Sequence, residues 1–309
     1  MKQKEEIKVG GVTIRLRHQR KTKNEILFIV IGLFFSVSNI IVFWFLPNFN
    51  SLFMAFKKKV GFDEVWTLAN FEYIFSEIAN PESTIINGLQ NTFMYFGYVT
   101  LVLTPLIYVV SFFVYKKIPW ANVFRYIFIV PNILSAVAIT SCFKFMFSPG
   151  GPMPELWNSI FGVKPLFFAD SNYVNPTLMF YMFWQSFGGG MILYVATFSR
   201  IPQELVEAGR IDGLGYWREL VSVVFPLSWP FFSTMLMISF CGMLGAGAPV
   251  LLFTKGAYGT YSLSYWIFEQ TTGGGTYRAA AIGLLMTAVQ FPISMIFYHF
   301  ANKVEPIEY

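Results

Sequence analysis

The side chains that most often carry chemistry are scarce and scattered in this sequence. The two cysteines, Cys142 and Cys241, lie in separate apolar runs, and the two histidines, His18 and His299, are isolated. A disulfide framework, a metal site or a catalytic cluster needs such residues together at characteristic spacings. We therefore expect no metal site and no catalytic residues. A lone cysteine in an apolar run is typical of a small packed side chain.

The glycine clusters do not form a nucleotide site. Gly188–Gly190 and Gly273–Gly275 are not followed by the lysine that a phosphate-binding loop carries after its last glycine. We therefore expect this chain to bind no cofactor.

One segment, residues 200–226, has a pattern that a simple connector does not need. Pro202 suits the first turn of a helix, and the backbone at Gly213 and Gly215 can turn sharply. Apolar residues then recur at spacings of three and four, which predicts one apolar face on a second helix. They are Leu214, Trp217, Leu220, Val221 and Val224. Two short helices joined by a tight turn form a knob that another protein's groove can hold.

The elements around this loop are predicted membrane spans. Of the 309 residues, 55% are hydrophobic and 13% charged, whereas soluble domains carry about 25% charged residues. A helix needs roughly 20 mostly apolar residues to cross the hydrocarbon core. The sequence therefore predicts an all-α integral membrane protein with one membrane domain over 26–309 and six spans. They are 26–46, 91–115, 125–147, 176–199, 230–253 and 279–300.

Lysine and arginine residues predict the orientation of these spans. A basic leader over 1–25 precedes the first span, and the leader and the loops on its side hold most of the 22 Lys and Arg residues. This bias predicts that both termini lie in the cytoplasm. Lys57–Lys59 run counter to it, but the opposite orientation would export the larger leader. Basic residues beside a span are explained by orientation, so we expect no nucleic-acid role.

The segment over 47–90 is predicted to lie on the outer side. Trp66, Phe71, Tyr73 and Phe75 alternate there with acidic residues. This pattern predicts short helices lying at the membrane interface.

The 200–226 loop resembles the signature loop of ABC importer permeases, which reads Glu-Ala-Ala, then Gly, then Ile/Leu-Pro. The matching residues are Glu207, Ala208, Gly213 and Pro226, and Gly209 replaces the second alanine. Within that family, Ile211-Asp212-Gly213 resembles the carbohydrate-uptake branch. Maltose F-type permeases also carry the counterparts of Asn91-Thr92, Arg125, Pro131 and Trp184. The stretch Gly150–Glu155 departs from the Gly-Leu-Asn that is usual after the third span.

This resemblance implies a type I ABC importer fold with six spans, in a bacterial or archaeal inner membrane. It implies that a cytoplasmic ATPase dimer contacts the loop at Glu207, Ala208, Gly209, Asp212 and Gly213. The other implied partners are a second permease in a heterodimer, an external or periplasmic sugar-binding protein, the sugar substrate and membrane lipid.

The fourth and fifth spans flank the loop and are the candidates for the sugar path. An unpartnered polar side chain is costly in hydrocarbon, so Gln185 is expected to face the protein interior or a wet path. By resemblance, the path residues lie on these two spans. They are Trp184, Gln185, Ser186, Gly189, Ser239, Gly242 and Met243. Ser239, Gly242 and Met243 recur at spacings of three and four, which places them on one helix face. The small residues among the candidates also suit close helix packing.

Three other interpretations compete with a sugar permease. A permease for a polyol or glycerol phosphate belongs to the same family, although a phosphate ligand favours Arg or Lys along the path. A secondary transporter that works without ATP usually shows inverted repeats or ionisable residues within its spans. A membrane-embedded enzyme needs clustered His, Asp, Glu or Cys at a membrane face. The sequence favours the transport subunit over all three.

Overall fold

The computed structural model describes residues 5–9, 12–16, 23–247, 249–301 and 303. Most of the predicted basic leader, at residues 1–4, 10–11 and 17–22, lies outside the described residues. The chain divides into two compact units, residues 1–53 and 54–309.

The first unit contains a short hairpin and most of a long helix. Strand β1 (Glu5–Val9) pairs antiparallel with β2 (Val12–Leu16), with Glu5 opposite Leu16. Helix α1 (Lys23–Ala55) begins in this unit and is 33 residues long. It is long and apolar enough to cross a membrane.

Helix α1 also continues past Pro47, so the first span does not end at residue 46 as predicted. A wider π turn over Ile40–Phe45 precedes this proline, and the α-helix resumes at Leu46. Proline normally breaks a helix because its ring clashes with the carbonyl four residues earlier, and a wide turn relieves that clash. The same arrangement recurs twice. A π turn over Tyr98–Leu103 precedes Pro105, and another over Leu220–Val224 precedes Pro226.

The second unit begins with a hairpin that the sequence did not indicate. Strand β3 (Lys57–Val60) pairs with β4 (Asp63–Trp66), and helix α2 (Ala69–Ala79) follows. The Asn70 amide donates to the carbonyls of Ala55 at 3.0 Å and Lys57 at 2.7 Å. The segment over 47–90, predicted to hold short helices, therefore contains the end of α1, a hairpin, helix α2 and the start of the next helix, at Thr84.

Glu64 ties this hairpin to the rest of the second unit. Its carboxylate accepts hydrogen bonds from Lys57 at 2.9 Å and from the Tyr277 hydroxyl at 2.8 Å. Both bonds favour the charged carboxylate and hold the pKa of Glu64 below its usual range.

The next helices correct the third predicted span. Helix α3 (Thr84–Tyr115) begins at the Ser83 cap and is followed by α4 (Ala121–Ile133) and α5 (Ala136–Phe147). Leu134 is extended, and the Ser135 hydroxyl accepts from the Ala138 amide to start α5. The predicted span over 125–147 is thus two helices, and Ala121–Ile133 meets Ala136–Phe161 at 112°.

Helix α7 lies at the centre of the second unit. It follows α6 (Pro152–Phe161), spans Ser171–Phe198, and packs against α3 and α4. Its buried residues include Leu178, Phe187 and Tyr194.

The remaining helices complete the bundle and correct the fifth predicted span. After α8 (Gln203–Ile211) comes α9 (Tyr216–Cys241), then a turn at Met243–Gly245 and α10 (Val250–Phe253). Helices α11 (Leu263–Thr272) and α12 (Thr276–Ala301) follow. The predicted fifth span over 230–253 instead begins at Tyr216 and ends at Cys241. Gly242, Gly245, Gly247 and Pro249 follow Cys241 and disfavour a continuing helix.

Among the described residues, four helices are long and apolar enough to cross a membrane. They are α1, α3, α9 and α12. The bent pair that begins with α4 makes five if it is one span. Helix α7 has 28 residues, enough to cross, but it carries Asn, Gln and three glycines that lower its hydropathy. The fold is an all-α membrane fold, and the count of six spans stays a prediction.

Hydrogen bonds between side chains join the helices inside this apolar bundle. Polar side chains stabilise helix association where no water competes for them. The bonded pairs are Thr100 with Ser239 at 2.6 Å, Tyr108 with Ser228 at 2.7 Å, and Thr140 with Tyr181 at 2.9 Å.

Candidate functional site

The 200–226 loop is a helix closed by a glycine turn. Glu204 lies in the first turn of α8 and Arg210 in the last, which suits the helix dipole. Gly213 has φ +80°, a left-handed conformation that residues with a side chain rarely adopt. The Gly213 amide donates a hydrogen bond to the Arg210 carbonyl, and the Leu214 amide donates one to the Gly209 carbonyl, both at 3.0 Å. This is the Schellman arrangement that ends a helix firmly.

The five residues that the signature loop singles out do not share one surface. Glu207, Ala208, Asp212 and Gly213 are exposed. Gly209 is buried, and a Cβ atom added there would lie 2.8 Å from the Leu214 side chain. Glycine in place of the second alanine therefore brings α8 close to the residue that follows the turn.

An exposed apolar residue beside this turn was missed in the sequence. Ile211 is 87% exposed at the end of α8. A large apolar side chain held this far into solvent marks a surface that a partner can cover. A signal was available, because Ile211 is an apolar residue directly before Asp212 at the polar turn. It was not used, since the spacing argument considered only the apolar residues after the turn.

The second part of the loop is not a separate helix. Residues from Tyr216 onward belong to α9 and continue into the span without a break. Of the predicted apolar face, Leu220 and Val224 are buried and Val221 is exposed. Trp217 is also exposed, and its ring packs edge-on against Phe113 at 5.2 Å. The loop is thus rigidly continuous with the membrane helix that follows it.

A buried ion pair joins this loop to the end of α3. The Lys116 ammonium contacts the Glu219 carboxylate, and the two side chains are 5% and 2% exposed. The Arg210 guanidinium lies 3.7 Å from the same carboxylate but is 55% exposed. Neither Lys116 nor Glu219 was singled out from the sequence as a functional residue. No local pattern links two residues so far apart in the chain.

The glycines of α7 serve helix packing. A Cβ atom at Gly188 would lie 2.1 Å from the Phe128 carbonyl of α4, and one at Gly190 would lie 3.0 Å from Ile107 of α3. The Asn132 amide also donates to the Gln185 carbonyl at 2.9 Å. Only glycine allows α4 to approach α7 this closely at Gly188. At Gly189 the nearest atom to an added Cβ is 3.4 Å away, which is ordinary contact.

The candidate path residues on α7 are half-buried. The Trp184 ring stacks on Phe143 of α5 with centroids 5.9 Å apart. Gln185, Ser186 and Gly189 lie nearby on the helix and keep partly exposed surfaces. This part of α7 can therefore offer an aromatic ring and polar groups to a ligand.

The candidate path residues after α7 do not form the predicted face. The Ser239 hydroxyl is hydrogen bonded to Thr100 of α3. Gly242 caps α9, and Met243 belongs to the next turn, where it is 3% exposed. The spacing argument assumed a helix to residue 253, whereas α9 ends at Cys241. Trp184 stacks on α5 and Ser239 bonds to α3, and among the described residues no hydrogen bond or ring contact links the two.

Asn91 and Thr92 have a structural role that their positions in the sequence did not reveal. The Asn91 amide donates to the carbonyls of Gly259 and Tyr261, both at 2.8 Å. The Thr92 hydroxyl accepts from the Leu263 amide at 3.1 Å. Both residues lie within α3 and hold the connection to α11 against it.

Several curated proteins similar to this chain are sugar permeases by name. The multiple sugar-binding transport system permease protein of Streptococcus mutans is 26% identical over 279 residues, which cover 86% of this chain and 92% of that protein. The lactose transport system permease protein of Rhizobium radiobacter is 27% identical over 191 residues. That match covers 60% of this chain and 64% of the Rhizobium protein, slightly less than two thirds of its length.

The fold also matches a solved structure. A chain from the crystal structure of a bacterial ABC transporter, involved in the import of the acidic polysaccharide alginate, aligns with a TM-score of 0.79 at 20% identity. The alignment covers 92% of this chain and 97% of that chain. Residues 9–306 match the family described as binding-protein-dependent transport system inner membrane component. This match spans nearly the whole sequence, and the protein therefore belongs to that family of integral membrane permeases of ABC transporters.

Proposed function

We propose that this chain is a transmembrane permease subunit of an ATP-driven sugar importer. It forms half of the translocation pathway and contacts the ATPase through the 200–226 loop. The observation that carries this proposal is the end of α8, where a firm glycine turn holds Ile211 exposed beside Glu207 and Asp212. An exposed apolar residue with charged neighbours on a rigid support suits a docking surface.

The loop can pass a movement of the ATPase to the membrane helices. Helix α9 runs without a break from Tyr216 to Cys241, so a displacement at the loop moves the start of the span. The Lys116–Glu219 pair connects the same point to the end of α3. A push on α8 therefore reaches two spans through one turn and one ion pair.

The charge distribution of the candidate path favours a neutral sugar over a phosphorylated ligand. Helix α7 carries no charged residue, and α9 carries none after Glu219. A phosphate group favours Arg or Lys partners. The lactose and multiple-sugar names of similar permeases support the same substrate class.

The proposal includes the partners that this mechanism needs. They are a second, different permease, a pair of cytoplasmic ATPases that hydrolyse the ATP, and an external sugar-binding protein that delivers the substrate. This chain itself holds no nucleotide or metal. It lies in the inner membrane of a bacterium or archaeon with both termini in the cytoplasm.

Sugar uptake by loop variants tests the coupling step. Gly213→Val places a branched side chain at φ +80°, whereas Gly215→Val places it at φ −77°. A Cβ atom meets open space at both positions, so only the backbone conformation differs. We expect Gly213→Val and Glu207→Lys to abolish uptake and Gly215→Val to retain it. Wild-type uptake by normally expressed Gly213→Val and Glu207→Lys would contradict the proposed coupling.

A reporter fused after Tyr309 tests the orientation. The proposal expects a cytoplasmic signal from this fusion, because an even number of spans separates it from a cytoplasmic N-terminus. An external signal would rule out the proposed arrangement of six spans.

A further inference from the structure

A basic cleft lies beside the 200–226 loop and shares Glu207 with the proposed coupling contact. It has a volume of about 740 Å³. One side is formed by the connection between α3 and α4 and by the first turns of α4, and the other by the end of α7 and by α8. Its lining includes Lys117, Trp120, Arg125, Gln203 and Glu207.

The charges of this cleft are predominantly positive. Four basic side chains line it, those of Lys116, Lys117, Arg125 and Arg210, against one acid, Glu207. Glu219 neutralises Lys116 from behind the cleft. In the described part of the chain, no acidic side chain forms an ion pair with Lys117 or Arg125. Such a cleft attracts an anion.

The connection that lines the cleft is conformationally strained. Lys117 has φ +53° and Trp120 has φ +68°. The left-handed region is unfavourable for residues with a side chain, and a bulky residue there is a genuine outlier. Lys117 takes the position after a helix end where glycine is usual. Strain of this kind persists where the surroundings impose it and is concentrated at ligand sites.

The cleft also borders a surface suited to lipid chains. Lys117 follows the end of α3 by two residues, and Arg125 lies in the second turn of α4, so both charges lie at the end of membrane helices. Further along α4, Tyr126, Ile127 and Val130 are exposed. Trp120 is 74% exposed at the mouth. An aromatic ring at this level is typical of the membrane–water boundary.

We propose that this cleft binds the phosphate headgroup of an anionic phospholipid, with Lys117 and Arg125 as its charge partners and the acyl chains against α4. Basic pockets between membrane helices bind such headgroups. The long apolar face beside the charges favours a lipid over a free anion. The cleft is formed by this chain alone, and its charge partners Lys117 and Arg125 lie outside the coupling residues, so loss of lipid binding can be distinguished from loss of coupling.

Lipid titration of the assembly purified in mild detergent tests the site. After delipidation, native mass spectrometry measures the Kd for phosphatidylglycerol, with phosphatidylcholine and glycerol phosphate as comparison probes. The test variant is Lys117→Ala with Arg125→Ala. The control is Arg218→Ala, which removes one positive charge from an exposed residue of the 200–226 loop that does not line the cleft. Gel filtration and thermal melting check that both variants remain folded.

The lipid site predicts phosphatidylglycerol binding that is tighter than phosphatidylcholine binding. The double variant should bind it about 25-fold more weakly, since each basic residue near an anionic surface contributes roughly fivefold, and Arg218→Ala should match the wild type. An unchanged Kd in the folded double variant would overturn the proposal. Glycerol phosphate competing at the same concentration would mean a free-anion site. Binding only to permease stripped of its partners would mean that an acidic partner segment fills the cleft, and would also overturn the lipid assignment.

Discussion

Removing the Glu219 charge is the sharpest test of how the loop is joined to the membrane helices. In Glu219→Gln, the Lys116 ammonium stays buried, since its side chain is 5% exposed, and loses the one carboxylate that pairs with it among the described residues. Breaking a buried pair by removing one partner costs about 3–5 kcal/mol. Arg210 is 55% exposed and 3.7 Å away, so its loss adds little.

Thermal melting in detergent measures this effect. For a chain of this size, about 3–5 kcal/mol corresponds to a fall in Tm of roughly 5–15 °C. The matched control is Glu155→Gln, which breaks the ion pair with Lys164 in which both side chains are about half exposed. An exposed pair contributes about 0–1 kcal/mol, so the control should shift Tm by at most about 3 °C.

A charge swap separates electrostatics from packing. Lys116→Glu combined with Glu219→Lys keeps opposite charges in the same place and should recover most of the lost Tm. If Glu219→Gln melts like Glu155→Gln, the pair does not hold the loop. If the swap is no better than the single variant, the loss is one of packing, and the ion-pair reasoning fails.

Three further expectations concern the bundle, the candidate path and the hairpin. Gly188→Ala should destabilise the protein by about 1–3 kcal/mol, because its Cβ meets a carbonyl at 2.1 Å, while Gly189→Ala should be nearly neutral in the same melt. Trp184→Ala should impair sugar uptake while the ATPase still co-purifies; loss of the ATPase would make this residue structural. The partners of Glu64 lower its pKa in the folded protein. The stabilisation of the hairpin by Glu64 is therefore complete above the pKa that Glu64 has in the unfolded chain, and it is lost as the pH falls through the lower pKa of the folded protein. Trp66 fluorescence should report this change in acid, and Glu64→Gln should abolish it.

The membrane class and the position of the loop could be predicted because they depend on local composition. The predicted sixth span, 279–300, lies within α12, and the predicted fourth span, 176–199, nearly coincides with α7. The family indicated by Glu207, Ala208 and Gly213 is confirmed by the match over residues 9–306. Long apolar runs and a signature motif need no knowledge of distant contacts.

Helix ends near prolines and glycines could not be read in the same way. Pro47 and Pro226 do not end their helices, because a π turn precedes each one. Apolar composition continues past Cys241, so hydropathy alone could not locate the end of α9. As a result, Ser239, Gly242 and Met243 were placed on a helix face that does not exist.

Contacts between segments that are distant in the sequence could not be predicted either. The Lys116–Glu219 pair and the bonds from Asn91 to the 259–261 backbone depend on tertiary packing. Each of these residues reads from sequence as an ordinary loop or helix-surface residue. Only the assembled bundle brings them together.

Affinity purification of this chain in mild detergent, with identification of what accompanies it, tests the central claim most directly. The account predicts that a second permease of similar size and an ATPase purify with the chain. The Gly215→Val variant should retain both partners, whereas the Gly213→Val variant should lose the ATPase. A folded chain that purifies alone, or an ATPase that stays bound to Gly213→Val and Glu207→Lys alike, would contradict the proposed role of the 200–226 loop.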